Sequence, residues 1–281
     1  MAGVYFWEDE WHDEDPKILG MGDHATWLAS MVFDGARSIK GCVPDLDHHC
    51  ARLLNSAKAL GLKATKDLEE IVALSIEGVR KLPQDSELYI RPMFFGTTGF
   101  LVPEPDGTKF ALAVYENPLP GFDGFSACIS SRRRPAKDMA TTDAKAACLY
   151  PNTARALTEA NNKGFDNCVI TDANGNIAEF ATSNLWLVKD GKAITPQLNG
   201  TFLAGVTRMR VAQLLKEDGI EVIETQLDLS DILDADEIFS SGNHGKVMPV
   251  TRFEDRDMQP GPIATQAHDL YMEYAKTCSV F

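Results

Sequence analysis

The sequence has few of the features that mark secreted, membrane-bound or nucleic-acid-binding proteins. No apolar run in its 281 residues approaches the length of a membrane span, and its first residues lack the basic and apolar segments of a signal peptide. Its 41 acidic residues outnumber its 27 basic ones, which disfavours nucleic acid and anionic membranes as partners. We therefore expect a cytoplasmic protein that binds neither.

Clustered cysteines are also missing. The six cysteines are scattered, without a C-x-x-C pair and without a His/Cys group at metal-ligand spacing. In a chain of this length they are typical of reduced thiols packed as small hydrophobic residues, so we predict neither a disulfide framework nor a metal site. A hydrophobic content of 44% and a charged content of 24% are those of an ordinary globular protein.

The pattern of apolar residues predicts helices and strands without strict alternation. "ELYIRPMFFG" and "KFALAVYEN" are rich in β-formers, and residues 165–196 predict a β-meander with tight turns at "ANGN" and "KDGK". "TKDLEEIVALSIEGVRKLP" predicts a helix with Thr65 as its N-cap, and "NTARALTEANNKG" predicts one with Asn152 as its N-cap. This mixture indicates an α+β fold.

A domain boundary is predicted where prolines and glycines cluster. The stretch "ENPLPGFDG", residues 116–124, holds two prolines and two glycines between two strand-like segments. We predict a smaller N-terminal domain over residues 1–118, an interdomain loop over 119–128 and a larger domain over 129–281.

Lys145 stands in an unusual setting. In "DAKAACLYPN" it is surrounded by alanines, and Tyr150 follows five positions later. A lysine that reacts as an amine must be neutral part of the time, which requires desolvation or a neighbouring positive charge. The small neighbours would leave room for a flat ligand, and the phenol could donate to an oxygen of that ligand. The alternative is a short irregular segment whose lysine points to water.

Three further positions are ambiguous when each is taken alone. Glu179, between Ala178 and Phe180, is either the partner of a protonated ring nitrogen or a strand residue that alternation turns to water. The N-terminus predicted near Val206 and Thr207 suits a phosphate but is also a common helix start. Arg52 is either a bidentate phosphate ligand or a surface arginine.

The order of these motifs along the chain resembles a known family. Six motifs follow one another over nearly the whole chain. In order, they are "HHCARL", "YIRP", the lysine with its tyrosine, "GN-x-x-E", "L-x-G-V-T-R" and a serine-glycine turn. Together they resemble the class IV, or fold-type IV, pyridoxal-phosphate (PLP) aminotransferases. "MVFDGAR" and "YIRP" are most similar to the branched-chain amino-acid aminotransferases.

This resemblance implies a two-domain fold-type IV enzyme whose larger C-terminal domain carries a β-barrel-like sheet. It implies that Lys145 forms the Schiff base with PLP and moves the substrate proton, Tyr150 binds the phenolic oxygen and Glu179 keeps the pyridine nitrogen protonated. The cofactor-binding residues so implied are Arg52, Lys145, Tyr150, Glu179, Leu203, Gly205, Val206, Thr207, Gly242 and Asn243.

The substrate side departs from the family pattern. Asn243 stands where a threonine is usual, His244 replaces a small residue, and Leu28 replaces a pocket tyrosine. His244 either narrows the pocket or is a plain surface residue. Arg91 lies either near the substrate carboxylate or on a sheet as a structural arginine. The substrate-binding residues expected from the resemblance are Leu28, Phe33, Arg91, Asn243 and His244.

The expected activity is therefore PLP-dependent amino transfer, within a homodimer, between an aliphatic, branched-chain L-amino acid and 2-oxoglutarate. Two alternatives within the family stay open: an (R)-amine or D-amino-acid transaminase, and a lyase that releases pyruvate from aminodeoxychorismate. A non-enzymatic PLP-binding protein is a further alternative, which a colourless purified protein would favour.

Overall fold

Contacts within the computed structural model, which describes residues 2–281, divide the chain into two units. The first contains the chain up to Pro118 together with Ala144–Leu149 and Ala275–Phe281. The second contains Leu119–Asp143 and Tyr150–Tyr274. The short segment that carries Lys145 therefore groups with the first unit, although it follows the prolines and glycines of residues 116–124. Among the described residues, no helix has the length and apolar character needed to cross a membrane.

The first unit is built on a six-stranded antiparallel sheet with three helices. Its strands are β1 (Gly3–Trp7), β2 (Glu10–His12), β3 (Met31–Phe33), β4 (Ala36–Ile39), β5 (Glu87–Gly96) and β6 (Thr108–Glu116), and its helices are α1 (His24–Leu28), α2 (Leu46–Ala59) and α3 (Leu68–Arg80). The strand order is β2-β1-β6-β5-β3, and β4 pairs with the other end of β5. Strand β5 has the bounds of the segment "ELYIRPMFFG" that the sequence predicts.

The core of this unit forms between the sheet and helices α2 and α3. Leu88, Ile90 and Phe94 alternate along β5 and are buried against apolar residues of both helices, such as Leu53 and Ile71. Burial of these side chains is the main favourable free energy for docking the helices on the sheet. The sheet in turn fixes β3 and β4, and Asp34 lies between these two strands.

The predicted N-cap of α3 at Thr65 is wrong. The helix is capped by Asp67, whose carboxylate accepts from the Glu70 backbone N–H at 2.9 Å while the Glu70 carboxylate accepts from the Asp67 backbone N–H at 2.9 Å. This reciprocal capping box satisfies two N–H groups that the helix itself cannot pair. A single hydroxyl two residues earlier could not do so, which explains the later start.

Gly78 allows α3 to approach the sheet closely, and its replacement tests the packing. A Cβ atom there would lie 2.6 Å from Trp11 Cη2 and 2.8 Å from Val114 Cγ2. We expect Gly78→Ala to lower the free energy of unfolding by about 1 to 3 kcal/mol, as overpacked cores do. Helix propensity alone predicts the opposite sign. Denaturant unfolding checks this, and an unchanged or raised stability would contradict the packing described.

The second unit contains a nine-stranded mixed sheet with four helices. Its strands are β7 (Phe125–Arg133), β8 (Asn167–Thr171), β9 (Ile177–Phe180), β10 (Asn184–Lys189), β11 (Lys192–Pro196), β12 (Val222–Thr225), β13 (Glu237–Gly242), β14 (Lys246–Phe253) and β15 (Arg256–Asp257), and its helices are α4 (Tyr150–Asn162), α5 (Val206–Glu217), α6 (Leu229–Leu233) and α7 (Pro262–Lys276). The last residues of α7 group with the first unit.

This sheet curls on itself like half of a barrel. The strand order is β12-β11-β10-β13-β14-β7-β8-β9, with β15 beside β14, and β9 also approaches β10 and β11. The predicted meander forms only in part: β8 pairs with β9 and β10 pairs with β11, but β10 has β13 rather than β9 as its other neighbour in the sheet. The "KDGK" turn places Asp190 and Gly191 at positive φ, as a tight hairpin requires. Curling brings the end of β9 close to the residues between β11 and α5.

The predicted N-cap of α4 at Asn152 is also wrong, because the helix already begins at Tyr150. Pro151 lies in the first turn, where its missing N–H leaves no intrahelical bond unmade. The Asn152 amide instead donates to the Arg133 carbonyl oxygen at 3.3 Å. Tyr150 is thereby placed at the N-terminal end of the helix.

Candidate active site

The backbone around Lys145 is held on both sides in the first unit. Its N–H donates to Ser56 Oγ at 3.0 Å, and its carbonyl oxygen accepts from the Phe33 N–H at 3.1 Å. The flanking residues Ala144 and Ala146 are buried in the hydrophobic core. These contacts, with an isolated antiparallel bridge between Val32 and Ala146, anchor the segment beside β3, so its backbone is fixed although the segment is irregular.

The Lys145 side chain lies against an aromatic ring. Its Nζ is 4.9 Å from the centre of the Phe33 ring, and the residue is half-buried. An ammonium over a ring face is stabilised by the ring's quadrupole. Nearby, burial raises the pKa of the Tyr89 phenol, although the positive charge of Lys145 acts to lower it. The two surroundings of the amine act in opposite directions, because partial burial favours its neutral form whereas the ring favours the ammonium.

Arg52 is neither a surface arginine nor an isolated cation. Its Nε and Nη2 each donate to a different oxygen of Asp34 at 2.8 Å, and His49 Nδ1 lies 2.8 Å from Asp34 Oδ1. Asp34 is fully buried at the end of β3, and Arg52 and His49 lie on α2. The bidentate pair fixes the plane of the guanidinium. Whether Arg52 also holds a phosphate stays a prediction.

Asp34 is expected to contribute strongly to stability. Burial acts to raise the pKa of Asp34, but the Arg52 charge and the hydrogen bonds from His49 and Arg52 outweigh it and hold that pKa well below its usual range. Asp34→Asn removes the charge that compensates the buried guanidinium, so the free energy of unfolding should fall by about 3 to 5 kcal/mol. The matched control is Asp106→Asn, which breaks an exposed pair with Lys63 and should leave the free energy of unfolding almost unchanged.

The same pair predicts a pH dependence. Because the pKa of Asp34 is lower in the folded state, its stabilisation is complete above the unfolded-state value of about 4 and is lost as the pH falls below it. Urea unfolding between pH 7 and pH 3 should therefore show a steeper acid decline in the wild type than in Asp34→Asn. If the free energy of unfolding fell equally with pH in the wild type and in Asp34→Asn, the Asp34–Arg52 pair would not stabilise the fold.

Two arginines flank Tyr89 on the same sheet. The guanidinium carbons of Arg37 and Arg91 each lie 5.7 Å from the centre of its ring, and Arg91 Nη2 donates to the Tyr115 hydroxyl at 2.5 Å. Burial lowers the pKa of Arg37. Arg91 is therefore half-buried within an aromatic cluster, which holds its guanidinium in one place.

Leu28, the other predicted substrate-binding residue on this side, lies at the end of α1 and is 37% exposed.

In the second unit, Glu179 is buried rather than turned to water. All four residues of β9 are buried, and Glu179 is 7% exposed. Its Oε1 lies 3.4 Å from Nε of Arg134, and that Nε also donates to the Thr201 carbonyl oxygen at 3.0 Å. The alternation that would expose the carboxylate fails here because both faces of β9 are covered. A buried, charge-paired carboxylate is what a protonated ring nitrogen needs as a partner.

Arg134 is a residue that sequence reasoning missed. It is one of three consecutive arginines, and only this one has its side chain reduced to 11% exposure, whereas Arg132 and Arg133 are exposed. The sequence offers no period or spacing that separates the three. Only the fold distinguishes Arg134 from the other two, because it brings the residue that follows β7 beside Glu179 of β9.

The start of α5 offers an uncapped helix N-terminus. The N-cap is Gly205, which has no side chain to accept from the first N–H groups of Val206 and Thr207. A Cβ at Gly205 would overlap Oδ1 of Asn184, whose amide also donates to the Leu203 carbonyl oxygen at 3.0 Å. Glycine is therefore required here, and the arrangement suits an anion.

The serine-glycine turn lies beside a cavity of the second unit. The turn joins β13 to β14, and its residues Gly242, His244 and Lys246 line a cavity of about 310 Å³ that Thr182 and Ser183 close on the other side. A Cβ at Gly242 would lie 2.8 Å from Ser183 Cβ, so this glycine lets the two loops touch. His244 is exposed and faces the cavity, and Asn243 is half-buried.

Tyr150, the predicted partner of the phenolic oxygen, is 41% exposed at the start of α4.

Comparison with known proteins identifies the class. The sequence pattern described as amino-transferase class IV matches residues 31–253, which is well over half of the chain. The chain therefore belongs to the class IV aminotransferases, and the α+β fold-type IV architecture predicted from the sequence is confirmed.

Individual relatives of the chain include branched-chain-amino-acid aminotransferases. The branched-chain-amino-acid aminotransferase of Escherichia coli K12 is 34% identical over 249 residues, which are 84% of this chain and 80% of the relative. A putative branched-chain-amino-acid aminotransferase of Methanocaldococcus jannaschii is 33% identical over 248 residues, 87% of this chain and 85% of the relative. Among solved structures, an aminotransferase from Brucella abortus bound to the cofactor PLP is 46% identical, with a TM-score of 0.97, and the match covers 98% of this chain and 100% of that one.

The residues described fit PLP. The chain supplies a partly desolvated amine at Lys145, a buried carboxylate paired with Arg134 at Glu179, and a helix N-terminus without a side-chain cap at Gly205. These are the groups that an aldehyde, a protonated pyridine nitrogen and a phosphate respectively require.

Proposed function

We propose that the protein is a PLP-dependent aminotransferase that moves the amino group of an aliphatic, branched-chain L-amino acid to 2-oxoglutarate. The observation that carries the proposal is Lys145, which lies within the family match, fixed at both backbone groups and held against Phe33. The names of the relatives supply the branched-chain donor as the first substrate class to test.

The cofactor would supply an aldehyde that reacts with amines and a protonated ring that withdraws electrons from the substrate Cα. Lys145 accepts and returns the Cα proton as a neutral amine, and its half-buried position supports this role. Glu179 keeps a proton on the ring nitrogen by its negative charge, with Arg134 orienting the carboxylate. Tyr150 donates from its phenol to the ring oxygen.

The phosphate would be held by the N–H groups that open α5, at Val206 and Thr207, with Gly205 allowing close approach and Leu203 packing on the ring. Arg52 adds positive charge in an orientation fixed by Asp34.

The choice of 2-oxoglutarate as acceptor is supported by Arg91. Its guanidinium is half-buried between two tyrosine rings, 5.0 Å from the centre of the Tyr115 ring and 5.7 Å from that of Tyr89. A planar, positioned guanidinium is the group that binds a carboxylate in two-point fashion. Arg91 would hold one carboxylate of the acceptor, and 2-oxoglutarate offers it a second carboxylate that pyruvate lacks.

A substrate panel tests the proposal. The purified enzyme is supplied with L-leucine, D-alanine or a chiral aryl amine, each with 2-oxoglutarate or pyruvate. L-leucine with 2-oxoglutarate should give the highest kcat/KM. A preference for D-alanine or an (R)-amine would instead support the alternative that the exposed Leu28 and His244 leave open. A separate assay with aminodeoxychorismate and no acceptor tests the lyase, which would release pyruvate from it.

A homodimer and a cytoplasmic location belong to the same proposal. Phe100, Leu101 and Val102 are each at least 72% exposed, and the Phe100 ring lies 5.9 Å from that of Trp27. Such an exposed apolar group is typical of a surface covered by another chain, and light scattering should give twice the mass of the chain. The cytoplasmic location rests on the sequence, in which the six scattered cysteines are typical of reduced thiols.

A further inference from the structure

Lys246 is a lysine with almost no contact with solvent. It is 1% exposed and begins β14, directly after the turn that contains Asn243 and His244. Burial of an ammonium group is unfavourable unless partners replace its water. The chain therefore buries a lysine side chain inside the second unit, and none of the assignments above gives this residue a role.

The backbone at Lys246 adds to this observation. Its φ is +58°, in the left-handed region that favours glycine. Gly242 pairs with Lys246 across the hairpin, so three residues form the loop and the left-handed residue follows it. Glycine, asparagine and aspartate are the residues that most often adopt this conformation. Lys40, the other described lysine at positive φ, is exposed, whereas the side chain of Lys246 is buried.

Those contacts are well defined. The Nζ atom donates to Oδ1 of Asn243 at 2.9 Å and lies 5.5 Å from the centre of the Tyr271 ring. Tyr271 belongs to α7 and is 1% exposed. The ammonium thus joins the turn to a helix packed in the interior, through a hydrogen bond and a cation–π contact.

The hydrogen bond decides which way the Asn243 amide points. An asparagine amide presents an acceptor oxygen and a two-donor nitrogen of nearly the same shape, and only its partners distinguish the two orientations. An ammonium can donate but not accept. Oδ1 must therefore face Lys246, and the two N–H donors of Nδ2 are directed away from it.

From this geometry we infer that Lys246 is a positioning residue that orients the Asn243 amide so that its N–H donors serve an anion. The inference rests on the proposed function, in which Asn243 binds the cofactor phosphate. It also gives a physical reason for a lysine beside the departure at Asn243: a threonine hydroxyl can rotate to suit an anion, whereas an asparagine needs a fixed donor to prevent its oxygen from facing the negative charge.

The test compares PLP with pyridoxal, which lacks the phosphate. Dissociation constants are measured by equilibrium dialysis of the holoenzyme and of Lys246→Met. We expect Lys246→Met to weaken PLP binding by about tenfold, the value of one hydrogen bond, and to leave pyridoxal binding unchanged. Equal weakening of both ligands would indicate general damage to the unit and would overturn the inference. Lys246→Gln, which can still donate but can also accept, should weaken PLP binding by a smaller factor and serves if the methionine variant does not fold.

A double-mutant cycle separates orientation from structure. In an Asn243→Thr background, Lys246→Met should have no further effect on PLP binding, because the rotating hydroxyl needs no fixed partner. The same tenfold loss in both backgrounds would show that Lys246 does not act through Asn243 and would overturn the inference while the proposed function stands. Wild-type protein that binds no PLP would instead remove the proposed function, and this inference with it.

Discussion

Lys145→Ala is expected to lower turnover by more than about a thousandfold. The variant loses both the amine that binds the cofactor covalently and the base that moves the Cα proton. The backbone contacts of the segment to Ser56 and Phe33 do not involve the side chain, so the fold should persist. Steady-state turnover with L-leucine, together with borohydride fixation of PLP to the protein, measures both losses.

The matched control is Lys58→Ala. Lys58 is an exposed lysine in the last turn of α2, and its removal changes the charge of the protein by the same amount. It should leave turnover within about twofold, as exposed positions usually do. If Lys145→Ala retained both turnover and covalent attachment of PLP, the catalytic assignment would be wrong.

Glu179→Gln is expected to lower kcat by about 100- to 1,000-fold, the range found when a preorganised electrostatic group is removed. The amide keeps the shape of the side chain but carries no charge to hold a proton on the ring nitrogen. Arg134, 3.4 Å away, would then place an uncompensated positive charge beside that nitrogen and favour its neutral form.

Measurement of kcat at saturating PLP separates this effect from loss of cofactor. Glu221→Gln is the control, because Glu221 pairs with Lys192 at 3.0 Å on the surface and has no role in the proposed chemistry. It should behave as the wild type. A Glu179→Gln enzyme with normal kcat and full cofactor content would contradict the role given to the carboxylate.

Elements with strong local signals could be predicted from the sequence. Strand β5 has its predicted bounds, and the Asp190–Gly191 turn forms where the sequence places it, because both depend on residues that are neighbours in the chain. Helix ends were less accurate. Thr65 and Asp67 are both good N-cap residues, and only the return bond from Glu70 decides between them.

Contacts between distant segments could not be predicted. Asp34 and Arg52 are 18 residues apart, and nothing in either segment indicates that the carboxylate is buried below the guanidinium. The burial of Glu179 likewise depends on the curling of a nine-stranded sheet, which covers both faces of β9. The burial of Lys246 could not be predicted either, because a lysine after a glycine turn is ordinarily a surface residue.

A half-reaction measurement tests the central claim most directly. The purified enzyme, in its PLP form, is mixed with an excess of L-leucine and no acceptor, and the absorbance of the bound cofactor and the 2-oxo acid released are followed together. The account predicts loss of the aldehyde-form absorbance with one 2-oxo acid formed per active site, reversed by 2-oxoglutarate. An enzyme that holds PLP but shows neither change with any L-amino acid would contradict it.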